Sequence, residues 1–151
     1  MKQVYIAPNA TVVGDVVLEN DVNIWYGAVL RGDHGTITVG EGTNIQDNAV
    51  LHDETTVGKF CTIGHGAIVH GCNLGDECLI GMGAIVLDGA VLGDGCIVGA
   101  GAVVTGKMNA PENSLLLGSP AKVVKTVTQE QRQHSLENAL HYVELARKAF
   151  G

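Results

Sequence analysis

The stretch Leu74-Gly75-Asp76-Glu77-Cys78-Leu79-Ile80-Gly81-Met82-Gly83-Ala84-Ile85-Val86-Leu87-Asp88-Gly89-Ala90-Val91-Leu92 places a large aliphatic residue at Leu74, Ile80, Val86 and Leu92, six positions apart. Downstream the stride reaches Val98 and Val104. Upstream, after one step of five, it runs through Val69, Ile63, Val57, Leu51, Ile45 and Val39. A single step of nine then leads to Leu30, Ile24, Leu18, Val12 and Ile6. A helix repeats every 3.6 residues and a strand every two, and neither marks every sixth position alone. If each hexad is one short strand plus a corner, three hexads, about 18 residues, close a triangular coil. Stacked coils then pair their backbones about 4.8 Å apart, and the aliphatic anchors fill the prism.

Composition agrees with a thin aliphatic core. Apolar residues make up 46% of the 151, aromatics only 4%, and there are 21 glycines. Glycine follows many anchors, as in Val57-Gly58, Ile63-Gly64, Leu74-Gly75 and Val98-Gly99, where corners bring backbones together. A glycine-rich sandwich is the alternative, but it has no need of a six-residue register. Cys61, Cys72, Cys78 and Cys96 form no CxxC pair, and all four fall two residues before an anchor, so they read as small buried thiols. Sixteen acidic against nine basic side chains give a net charge of −7, with no basic run to follow a nucleic-acid backbone. No segment has the length and apolarity of a membrane span or a secretory leader, so a cytoplasmic location is expected.

Residues 1–127 are assigned to the β-helix and the segment that leaves it, and 128–151 to a C-terminal α-helix. Leu136, Ala139, Leu140, Val143 and Ala146 mark one face at helical spacing, and Thr128 with Gln131 has the capping-box relation. This helix is expected to pack along the prism or across a subunit boundary.

His52 and His70 follow the anchors Leu51 and Val69 and lie 18 residues apart, so they should stack on successive coils and share one ion. His65 precedes His70 by five residues, up to roughly 16 Å of extended chain, and lies nearly a prism face away. A threefold oligomer resolves this, because His65 of one subunit can meet His52 and His70 of its neighbour. Three histidines with an open position are the ligand set of a catalytic zinc. His34 lies near this group outside the stack, and His134 and His141 fall on the terminal helix as surface residues.

The segment from Asn23 to Asp33, Asn44-Ile45-Gln46-Asp47, Val50-Leu51-His52, Gly64-His65-Gly66-Ala67 and Val69-His70-Gly71-Cys72 together resemble the γ-class carbonic anhydrases, hexapeptide-repeat proteins with a left-handed parallel β-helix. The handedness comes from the resemblance, since parallel crossovers are normally right-handed. The resemblance implies a homotrimer that hydrates CO2 reversibly to bicarbonate by a metal-bound hydroxide at the subunit interface. Zn2+, with Fe2+ or Co2+ as alternatives, would be held by His52, His65 and His70. It further implies that Gln46 orients the metal-bound water, and that Arg31 pairs with Asp33 or Asp47 at the subunit contact.

The chain departs from the family's best-known pattern at two points. His34 stands where a glutamate follows the Arg-x-Asp triplet, and His52-Asp53-Glu54-Thr55-Thr56 runs into the next anchor without an acidic loop. His34 and Glu54 are therefore the expected proton carriers, and Tyr142 either reaches a neighbouring site or packs. Two other readings stay open. One is acyl transfer from, or thioester hydrolysis of, acyl-CoA; the other is an assembly or carrier module that the metal staples together.

Overall fold

The computed structural model describes residues 2–151. Most hexads are strands of two or three residues separated by corners, and all strand pairs but the last are parallel. The first prism face stacks Tyr5–Ile6, Asn23–Ile24, Asn44–Ile45, Thr62–Ile63, Leu79–Ile80, Ile97–Val98 and Ser114–Gly118. The second stacks Val50–His52, Ile68–His70, Ile85–Val86 and Val103–Val104; the third stacks Thr55–Val57, Asn73–Leu74, Val91–Leu92 and Asn109–Ala110. The longer strands Thr11–Leu18 and Val29–Val39 turn a corner and contribute to both of these faces. The architecture is the expected left-handed parallel β-helix of about six coils followed by one α-helix.

From Ile24 to Val104 every anchor is at most 1% exposed, and anchors on one face stack in register, as Ile45, Ile63 and Ile80 do. Burial of each such side chain contributes about 1.5–3 kcal/mol. The first coil differs: Ile6 is 38% exposed and Val12 and Leu18 are partly buried, because this coil has a neighbour on one side only. The glycines after anchors sit where successive coils approach most closely. A Cβ on Gly58 would fall 2.5 Å from the carbonyl oxygen of Gly75.

All four cysteines are free and buried, with exposures of 4% or less. The thiols of Cys61, Cys78 and Cys96 donate to carbonyls of the next coil, those of Gly75, Gly93 and Pro111. Burial pushes the Cys72 thiol up to about 12, and hydrogen bonding along the Cys61, Cys78, Cys96 column raises Cys78 and Cys96 as well. Thiolate is the reactive form, so a thiol reagent at pH 8 is expected to label none of the four in native protein and all four in guanidinium. Labelling of native protein on the minute timescale would contradict this packing.

Ser114–Gly118 and Ala121–Thr126 form an antiparallel pair that closes the open end of the first face. The helix Gln129–Phe150 follows, with both halves of the Thr128/Gln131 capping box formed. It returns along the first face, from Arg132 beside Glu77 and Asn113 to Arg147 beside Asp21. Its buried residues are Ser135, Ala139, Val143 and Ala146. Leu140, which the spacing puts on the inner face, is instead 47% exposed. Small residues at the contact let the helix approach a polar column of Asn23, Asn44 and Thr62, all at most 4% exposed. Asn138 donates to Thr62 Oγ1 there, and no buried side-chain N or O among the described residues lacks a partner. No helix among them is long and apolar enough to cross a membrane.

Candidate metal centre

Arg31, His52 and His70 occupy one register position on three successive coils of the second face. The step of nine between Leu30 and Val39 becomes a projection beside this column. Six residues carry the chain from Arg31 to Ile37, where the next coil takes three, from His52 to Thr55. The extra length carries Asp33, His34 and Gly35, and Gly35 lies against the backbone of Glu54. Asp33 thereby reaches one coil upward, its Oδ1 3.0 Å from His52 Nε2. Arg31 donates from Nη1 to Asp33 Oδ2 at 2.6 Å, and the His34 ring stands edge-on to His52 at 5.6 Å. Arg31 first, and then His52, lower the Asp33 carboxyl to about 2.

His52 Nδ1 and His70 Nε2 face each other at 3.0 Å. The far nitrogen of each ring meets a carboxylate: His52 Nε2 meets Asp33, and His70 Nδ1 makes a short contact with Asp88 Oδ1. A carboxylate accepts the N–H of a neutral imidazole, which leaves the other nitrogen with its lone pair. When both rings are neutral and so held, two lone pairs converge, an arrangement that calls for a cation between them. Two nitrogens at about 2.0–2.1 Å from a tetrahedral zinc stand roughly 3.4 Å apart, so the pair is nearly spaced for that edge. The donor set, neutral imidazoles with carboxylates behind them, fits a zinc-type ion. His70 also holds the Asp88 carboxyl below the usual carboxylate range.

His65 lies on a different edge, in the corner after Thr62–Ile63. Its Nδ1 is 3.1 Å from Asp47 Oδ1, 18 residues earlier, and about half of its side chain is exposed. Gln46, 5% exposed, donates from Nε2 to Asn44 Oδ1, which ties it to the polar column under the helix. His65 and Gln46 line a cleft of about 340 Å³ between the first face and the helix, with Met82, His134, Asn138 and Tyr142. Tyr142 stacks edge-on against Trp25 at 5.5 Å, and burial raises its hydroxyl pKa.

The expected residues thus form two groups on one chain: Arg31, Asp33, His34, His52 and His70 on the second face, and Gln46, Asp47, His65 and Tyr142 around the cleft. Glu54 joins neither; it lines a shallow groove with Thr56, Cys72 and Asn73. Arg31 pairs within its chain with Asp33 and not with Asp47. The sequence reading passed over Asp88, because the step of five between Val69 and Leu74 makes this coil 17 residues long and puts Leu87, not Asp88, in register above His70. It also passed over the outward column of the second face, Val29, Val50, Ile68, Ile85 and Val103, which is aliphatic throughout and only partly covered.

Residues 71–106 match the family described as bacterial transferase hexapeptide (six repeats). The crystal structure of a hexapeptide transferase family protein from Anaplasma phagocytophilum superposes with a TM-score of 0.92 at 44% identity, covering 96% of this chain and 88% of that one. These likenesses define a hexapeptide-repeat β-helix protein. A probable carbonic anhydrase of Methanocaldococcus jannaschii is 48% identical over 149 residues, covering 96% of this chain and 94% of that protein. The mitochondrial γ carbonic anhydrase 2 of Arabidopsis thaliana is 40% identical over 97% of this chain, which spans only 56% of that protein's length. The chain belongs to the γ-class carbonic anhydrase family.

Proposed function

We propose that the chain is the subunit of a homotrimeric, metal-dependent enzyme that hydrates CO2 reversibly to bicarbonate. The observation that carries this is the facing pair His52 Nδ1 and His70 Nε2, backed by Asp33 and Asp88, with His65 on another edge of the same prism. His52 and His70 of one subunit and His65 of the next would hold the ion, Zn2+ with Fe2+ or Co2+ as alternatives. When bound, it supplies the Lewis acidity that ionises water near neutral pH. The aliphatic column beside the histidines gives a neighbouring subunit an apolar surface to bury, whereas the third face is largely Thr and Asn outside, as at Thr38, Thr56, Asn73 and Asn109.

The chain's own groups then divide the work. With Nε2 donating to Asn44, Gln46 keeps Oε1 to accept a hydrogen bond from water in the cleft and orient it. Asp33 and Asp88 hold the two imidazoles by their far nitrogens. Hydration releases one proton, and His34, exposed beside His52, is placed to pass it to solvent. Tyr142, on Trp25, walls the cleft.

Stopped-flow CO2 hydration on protein purified without oxygen and loaded with zinc, iron or cobalt tests this reading, with metal content and mass measured on the same sample. A chelator-sensitive rate with about one metal per chain in a three-chain particle is expected. The hexapeptide transferases share the fold, so acyl transfer from acyl-CoA, or its hydrolysis, is the second reading; a chelator-insensitive turnover of acetyl-CoA would favour it. A metal-loaded trimer with neither rate would leave an assembly or carrier role.

A further inference from the structure

We propose that Asp88 is a positioning residue that decides whether His70 can bind a metal, by fixing which ring nitrogen carries the proton. The inference rests on the metal-centre reading above and deepens it.

Asp33 accepts from His52 Nε2, so in the neutral ring His52 Nδ1 carries the lone pair. His70 then has two choices. With the proton on Nε2, it donates to His52 Nδ1 across the 3.0 Å gap, and the two rings satisfy each other. With the proton on Nδ1, it donates to Asp88 and turns a second lone pair toward His52, leaving the pair open to a cation.

Asp88 is placed by its neighbours above and below. A Cβ on Gly71 would come within 2.8 Å of the Asp88 carboxyl carbon and push the carboxylate from its place beside His70, whereas glycine leaves it there. One coil higher, Gly106 packs against the Asp88 carbonyl, where a Cβ would overlap the oxygen. The one other acid whose ligand atoms lie near both His70 and Asp88, among the described residues, is Asp53. It belongs to the coil below His70, and Asp88 makes the hydrogen bond. The centre therefore draws on four successive coils, through Asp33, His52, His70 and Asp88.

The test uses full-length protein carrying 15N-labelled histidine, stripped of metal, at about pH 8 where free imidazoles are neutral. Long-range 1H–15N correlation is expected to show His70 as the Nδ1–H tautomer in the parent and as Nε2–H in Asp88→Ala. Chelator competition with Zn2+ and Co2+ is expected to show about 10–100-fold weaker binding by Asp88→Ala, with fold and mass unchanged by circular dichroism and light scattering. Asp88→Asn, which keeps the shape and an acceptor oxygen, is expected to lose less, in the same direction, and to stand in should Asp88→Ala fail to fold. Asp53→Asn, which leaves the Asp88–His70 hydrogen bond in place, is expected to keep His70 as the Nδ1–H tautomer. An Nε2–H tautomer in the parent, or parental metal affinity in Asp88→Ala, would overturn the proposal. A parent that binds no metal would overturn the metal centre instead, and the tautomer measurement would still judge Asp88.

Discussion

His65→Ala and His52→Ala subunits, each prepared alone, are expected to hold no metal and to hydrate CO2 at the background rate, while a co-refolded equal mixture recovers about a quarter of the parental sites. Each shared site needs His52 and His70 from one subunit and His65 from its neighbour. In a random mixture, half of the subunits supply an intact pair and half supply an intact His65, so about one interface in four joins the two in the right order. The separation behind this is visible in a single chain. His52 and His70 stack on the second face, whereas His65 sits in the corner after Thr62–Ile63, paired with Asp47. Metal content by atomic absorption and stopped-flow rates read the result. Full metal in either parent, or no recovery on mixing, would sink the shared site. Parents that fall apart to single chains while the mixture reassembles would point to the metal as a staple.

Ile63→Ala is expected to cost about 2–5 kcal/mol, and Ile6→Ala no more than roughly 1 kcal/mol, although both are isoleucines of one hexad register. Ile63 is fully buried between Ile45 and Ile80 on the coils below and above. Its truncation leaves a void that a rigid stack cannot close. Ile6 lies on the terminal coil at 38% exposure and loses little. A coil touches only its neighbours, so an anchor's worth depends on whether it has one on each side. Urea midpoints at matched subunit concentration measure the difference, and equal losses at the two positions would contradict the stacked-coil core.

Several features of the site were legible because they depend only on stride. A residue 18 positions from another falls above it where the register is unbroken, which is why His70 over His52 could be read directly, while Arg31, 21 residues before His52, joins them as the residue after its own anchor. Asp88 does not follow that rule: the step of five between Val69 and Leu74 shortens this coil to 17 residues, so Leu87 takes the position above His70 and Asp88, one residue further on, reaches back to it from above Gly71. Leu140 misled because helical spacing selects a face by apolarity, whereas this helix packs through Ser135 and Ala139 onto a polar column. Glu54 is close to His52 in sequence, yet it turns toward the third face, because the corner at Asp53 changes the direction of the chain.

What the sequence determined by itself is the coil: the hexad register, the inward anchors, the small thiols beneath them and the capped helix at the end. These follow from short-range repetition, where every third hexad meets the same neighbours. Only the tertiary structure decided how the step of nine between Leu30 and Val39 is used. A break in register says that residues are added and not where they lean. Here they lean onto the next coil, Asp33 on His52 and Gly35 on Glu54, because the paired strands on either side of the break hold its ends in place while the extra residues bulge outward. The orientation of the two imidazoles was decided there as well, since a ring nitrogen's direction depends on partners in adjacent coils and not on its own place in the repeat.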